Sequence, residues 1–136
     1  MRGDPIARLR SFDANGDGHP DLMTACEFGR NDFWLSNGNG TFVEAELPEI
    51  YGGFSMGLTV GDIDNDGWLD LYLGTGKPDF RGLMANRMFR NNAGAGFLDV
   101  TTAGGFGHLQ KGHAISFGDI DNDGDQDIYA VMGGAY

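Results

Sequence analysis

The chain has one cysteine, four prolines and nine basic side chains against twenty acidic ones in 136 residues. Each shortage excludes something. The single Cys26 rules out an intrachain disulfide framework and reads as a buried structural thiol. A formal charge of −11 leaves no basic footprint for a nucleic-acid backbone, and an anionic lipid surface would repel it. No apolar run approaches the ~20 residues of a membrane-spanning helix, so neither nucleic acid nor membrane insertion is expected. Met1-Arg2-Gly3-Asp4-Pro5 lacks the apolar stretch of a signal peptide. That leaves a cytosolic protein or a segment of a longer exported precursor. Helical periodicity is missing as well, with no segment of about ten residues showing it.

What is present points to strands. Twenty-four glycines and ten phenylalanines disfavour helices, because glycine costs helix stability and aromatics favour strands. Ordinary hydrophobic content argues against disorder, and the length suits about one domain.

Sixteen of the twenty acidic residues are aspartate, and they cluster. Asp13-Ala14-Asn15-Gly16-Asp17-Gly18-His19-Pro20-Asp21 recurs as Asp62-Ile63-Asp64-Asn65-Asp66-Gly67-Trp68-Leu69-Asp70. It recurs again as Asp119-Ile120-Asp121-Asn122-Asp123-Gly124-Asp125-Gln126-Asp127, at offsets of 49 and 57 residues. The pattern D-x-[DN]-x-D-G-x-x-D at near-regular spacing marks a repeat architecture.

The segments between the loops repeat too. Asn31 to Glu44 aligns with Asn86 to Asp99, each reading as strand, Gly/Asn-rich turn and strand. Met56–Val60 and His113–Phe117 read as short strands before the loops, Leu71–Leu73 and Ile128–Val131 as short buried strands after them. One unit is therefore strand, Asp loop, strand and hairpin, which is the four-stranded antiparallel blade of a β-propeller. The expectation is an all-β chain of about two and a half blades. The first covers residues 1–50 with loop 13–21, the second 51–104 with loop 62–70, and a partial third 105–136 with loop 119–127. Propellers close with about four to eight blades. A fragment of a larger propeller is therefore favoured over copies that complete one another, and the unclosed blade edges predict self-association.

The loops suit a hard cation that takes six to eight oxygens. The first, third and fifth positions (Asp13, Asn15, Asp17; Asp62, Asp64, Asp66; Asp119, Asp121, Asp123) are expected to point inward. The seventh (His19, Trp68, Asp125) would offer its backbone carbonyl, which explains its variable side chain. The ninth (Asp21, Asp70, Asp127) would close the site. No thiolate or imidazole stands at a side-chain ligand position, which disfavours soft metals, and Mg²⁺ prefers a smaller octahedral site. About three Ca²⁺ ions are expected, one per loop. An EF-hand is excluded, because its twelfth position should be Glu and these loops have Thr24, Leu73 and Ala130 there. Asp- and Gly-rich loops can be plain turns, but three at identical spacing argue for an ion.

These loops, with the Phe117-Gly118-Asp119 entry, resemble the FG-GAP repeats of integrin α-subunit propellers and the bacterial VCBS-type repeats. The hairpin pattern (Asn, then Trp34 or Phe89, then Asn, a Gly-rich turn and Phe) and the Tyr129 to Tyr136 ending resemble the ASPIC/UnbV group, secreted proteins related to cartilage acidic protein. The resemblance implies a calcium-binding propeller in an extracellular, cell-surface or periplasmic protein.

Three other motifs are weaker. Gly53-Phe54-Ser55-Met56-Gly57 matches a nucleophile elbow but lacks the helix that must follow it. Arg2-Gly3-Asp4 is short enough to arise by chance. Asn39-Gly40-Thr41 is a glycosylation sequon at what reads as a hairpin turn. His19, His108 and His113 are scattered, and no catalytic set is expected. The combined reading is a non-catalytic, calcium-stabilised segment for adhesion or ligand binding, its partner a protein or a glycan. The alternative is a carbohydrate-binding or accessory part of a carbohydrate-active enzyme, of lyase or lectin type.

Overall fold

A computed structural model describes residues 6–52, 54–76, 84–109 and 111–133. Arg2-Gly3-Asp4, Gly53 and the Gly134–Tyr136 ending lie outside them. The described chain is all-β, as its composition predicts, with a single 3-10 turn at Pro48–Ile50. Strands β1 (Ile6–Phe12), β2 (Asp21–Cys26), β3 (Asp32–Ser36) and β4 (Phe42–Glu44) form one antiparallel sheet in that order. Strands β5 (Ser55–Gly61), β6 (Asp70–Thr75), β7 (Arg87–Asn91) and β8 (Phe97–Asp99) repeat it. Strands β9 (Gly112–Gly118) and β10 (Asp127–Met132) form a third, two-stranded sheet. These are propeller blades, and the first strands of successive sheets adjoin, β1 beside β5 and β5 beside β9.

The middle sheet shows why the strands read as short apolar runs. Every residue of β6 is buried, because both faces are covered. Its side chains alternate as a strand requires. Leu71 and Leu73 enter the core shared with the first sheet (Phe12, Met23, Phe33, Leu58), while Tyr72 enters a second core with Met88 and Ile115. Burying each large apolar side chain contributes about 1.5–3 kcal/mol. Aromatic contacts order both layers, with Phe33 edge-on to Phe97 at 5.8 Å and Tyr72 against Phe106 at 6.3 Å. Gly74 lets the third sheet approach, since a Cβ there would stand 2.8 Å from Ile115 and 2.9 Å from the Gly112 carbonyl.

One buried amide fastens the first two sheets together. Asn31 Oδ1 accepts the Cys26 N–H at 3.0 Å, and its Nδ2 donates to the Ile50 carbonyl and the Ser55 hydroxyl at 2.9 and 3.1 Å. Asn86 repeats the first of these bonds, accepting the Thr75 N–H at 3.0 Å. The hairpin turns are longer than a two-residue Asn-Gly turn. Asn37 N–H reaches the Thr41 carbonyl in one and Asn92 N–H the Gly96 carbonyl in the other, and the sequon Asn39 caps Thr41 within the first.

Candidate metal centre

Each Asp loop joins the first strand of a sheet to the second. The first aspartate follows the last residue of β1, β5 or β9, and the ninth is the first residue of β2, β6 or β10. A common hydrogen-bond skeleton shapes all three. The first aspartate accepts two backbone N–H groups: Asp13 from Gly16 and Gly18, Asp62 from Asp66 and Gly67, Asp119 from Asp123 and Gly124. The fifth accepts from the seventh: Asp17 from His19, Asp66 from Trp68, Asp123 from Asp125. The ninth reaches back to the second position: Asp21 to Ala14, Asp70 to Ile63, Asp127 to Ile120, at 2.9–3.0 Å. These bonds hold the loop in a tight spiral with its carboxylates converging.

The spiral needs a left-handed backbone at two positions. The sixth is always glycine (Gly18, Gly67, Gly124; φ 84, 90 and 96°), as the pattern predicts. The fourth is left-handed as well, at Gly16, Asn65 and Asn122 (φ 76, 58 and 61°). That second requirement was legible in the sequence, since only Gly and Asn occur there and both tolerate the conformation.

Trios of converging carboxylates lie in the second and third loops. Carboxylate oxygens of Asp62, Asp64 and Asp70 lie within 4.8 Å of one another, and those of Asp119, Asp121 and Asp127 do the same. The trio is thus positions one, three and nine. The fifth position, like the first, accepts a backbone N–H of the turn. In the first loop the third position is Asn15, whose amide donates to Asp17 at 3.0 Å and whose oxygen accepts the Asp17 N–H. The first loop thus has a neutral residue at the third position.

Burial separates the two trios. Asp70 is fully buried and Asp62 partly so, whereas Asp119, Asp121 and Asp127 are exposed. Burial raises the Asp70 pKa above the ordinary carboxylate value; the Asn91 and Ile63 N–H bonds oppose this, and the charges of Asp64 and Asp66 reinforce it. Asp17 moves the other way, held down by the Asn15 amide and the His19 N–H. Arg90 bridges Asp64 (2.5 Å) and Asp66 (3.2 Å) beside the second loop, and its pKa rises through the Asp66 hydrogen bond and the Asp64 charge.

The seventh-position side chains, read only as carbonyl carriers, link the loops to their surroundings. The Trp68 ring lies over Gly16 of the first loop and Gly94 of the β7–β8 turn, so close that a Cβ on either would stand under 3.0 Å from it. The His19 ring lies against Gly38 of the β3–β4 turn, and Asp125 accepts from the Asn65 amide of the second loop at 3.1 Å. Asn91 couples loops one and two. Its Nδ2 donates to Ala14 and Leu69 carbonyls at 2.9 and 3.2 Å, while its N–H donates to Asp70 at 2.7 Å.

The donor set fits a hard divalent cation. Three carboxylates converge in each of two loops without a thiolate or imidazole among them, and their mutual repulsion is what a cation relieves.

A family model described as an FG-GAP-like repeat matches residues 13–73 and again residues 74–130. Its repeat is out of step with the sheets. The first match runs from the first loop through β5 into β6, and the second takes β7, β8, β9 and most of β10. No curated protein matches the chain.

Proposed function

The chain belongs to the FG-GAP-like repeat family, and from that premise we propose that it is a calcium-binding, non-catalytic segment of a β-propeller serving adhesion or ligand binding in a secreted or cell-surface protein. The observation that carries this reading is the repetition of one trio. Positions one, three and nine converge in two loops separated by 57 residues, on equivalent strands of successive sheets. A turn needs the first and ninth aspartates for its backbone bonds. It has no such use for a charged third position, which in these loops bonds no backbone N–H of the spiral, so Asp64 and Asp121 are the residues that an ion explains.

Asp62, Asp64 and Asp70 would hold one ion, and Asp119, Asp121 and Asp127 a second. Asp13, Asn15 and Asp21 would make a third site, with one carboxylate fewer. The ions would tie the ends of adjoining strands and neutralise the loop face. Exposed loops on a rigid scaffold would then present the binding surface.

Thermal melts in calcium and in EDTA test the proposal. Sites of the extracellular class bind at about 0.1–1 mM. With ~1 mM calcium and a dissociation constant of ~0.1 mM, each site adds about 1.4 kcal/mol. Two or three sites then raise the melting temperature by roughly 10 °C. Superimposable melts would refute calcium binding.

One observation favours a glycan as the ligand. A cleft of about 350 Å³ between the second and third sheets is lined by Tyr72, Phe106, His108 and Tyr129, and aromatic faces with polar edges suit sugar rings. Glycan-array binding that Tyr129→Ala abolishes would favour this reading, and a blank array would remove it.

A further inference from the structure

The second loop carries a built-in cation where the first sheet has an apolar side chain at the equivalent position. The two hairpins share one pairing register. Leu35 pairs with Val43 as Arg90 pairs with Leu98. The following residues, Ser36 and Asn91, make the same bond, each donating its N–H to the ninth aspartate at 2.8 and 2.7 Å. Arg90 therefore stands where the first sheet has Leu35. It extends over its own loop, bonding Asp64 through Nε at 2.5 Å and Asp66 through a terminal nitrogen at 3.2 Å. Asp64 is one of the three converging carboxylates.

Resting on the calcium reading above, we propose that Arg90 is a tethered counter-cation that competes with calcium for Asp64 and lowers the affinity of the second loop. The four loop aspartates (Asp62, Asp64, Asp66, Asp70) with Arg90 carry a net −3, equal to the three of the first loop (Asp13, Asp17, Asp21). The arginine thus cancels the charge advantage that the extra aspartate confers. Its side chain is 46% exposed and that of Asp64 35%. A bridge so open to solvent is weak and yields to a divalent ion, at a cost in affinity rather than by exclusion. In the metal-free protein the same contact neutralises repulsion that would otherwise strain the loop. Arg90 therefore supports the empty state and opposes the filled one.

That opposition gives the test. Calcium titrations of the full chain, of Arg90→Leu (which copies Leu35) and of Arg90→Gln are followed by NMR at the Gly18, Gly67 and Gly124 amides. Both variants should tighten calcium at the second loop about three- to tenfold and leave the third loop within twofold. Both should also melt lower than the parent in EDTA yet gain more on adding calcium, a reversal that lost packing alone does not produce. If the third loop binds calcium while the second is unchanged or weaker in both variants, the Arg90 proposal is wrong and the calcium reading stands. If no loop responds to calcium in any of the three proteins, the calcium reading falls and Arg90 falls with it.

Discussion

Replacing Asn91 by alanine removes three hydrogen bonds from one buried side chain. The amide nitrogen donates to the Ala14 carbonyl in the first loop at 2.9 Å and to the Leu69 carbonyl in the second at 3.2 Å. Its oxygen accepts the Gly94 N–H of the β7–β8 turn at 2.8 Å. Asn91 is 1% exposed and Ala14 4%, so water does not readily replace the lost donor at Ala14. Leu69 and Gly94 are half-buried and recover part of their loss from solvent. An unsatisfied buried group costs about 1–3 kcal/mol and each of the other two bonds about 0.5–1.5, so Asn91→Ala should destabilise by about 2–6 kcal/mol. Against the 5–15 kcal/mol typical of a domain, that is a fall of roughly 10 °C in melting temperature. The control is Asn37→Ala, which loses one exposed bond to the Thr41 hydroxyl and should cost under about 0.5 kcal/mol. Urea denaturation of both variants gives the difference directly. If Asn91→Ala is no less stable than Asn37→Ala, the inter-loop bridge contributes nothing and the coupling of the two loops through it is wrong.

Two further outcomes follow from the same geometry. Gly94 and Gly40 both have positive φ, 80 and 87°, but a Cβ on Gly94 would stand 2.8 Å from the Asn15 carbonyl and 2.9 Å from Trp68, while one on Gly40 meets nothing. Gly40→Ala should therefore cost about 1 kcal/mol from backbone strain, and Gly94→Ala at least about 1 kcal/mol more, read as melting temperatures that differ by several degrees. Asp70, whose pKa is raised by burial above the 3.8 of the unfolded chain, should make the metal-free protein less stable as pH rises. The unfolded chain releases its proton first, so stability falls from about pH 4 through the folded-state value and then levels. Asp70→Asn has no such proton, and its stability relative to the parent in EDTA should rise over that window; a flat or falling difference in urea titrations would overturn the assignment.

Much of this fold was legible because its signals are local. The Asp loops, the hairpin alignment and the count of sheets all follow from spacing, and the strands appear where the short apolar runs predict them. Their ends fall one or two residues further out because the ladder continues past the apolar run. Asp70, read as a loop ligand, is also paired with Gly61 as the first residue of β6. What the sequence hides are the contacts between elements. Trp68 and Leu35 look interchangeable with other apolar residues until the sheets stack. Nothing local says that Arg90 leans over Asp64, or that Asn31 and Asn91 brace neighbouring elements.

The phase offset between family repeat and sheet has a mechanical consequence. The first repeat ends within β6 and the second supplies β7, so the ladder Leu71↔Phe89, Tyr72↔Met88 and Leu73↔Arg87 runs across the seam between them. In most solenoids neighbouring repeats are joined by side-chain faces and can shear apart one at a time. Here a pull that separates the two repeats must unzip backbone hydrogen bonds in the middle of a sheet and open both cores on either side of it. Tension along the chain is therefore shared by units that cannot yield singly.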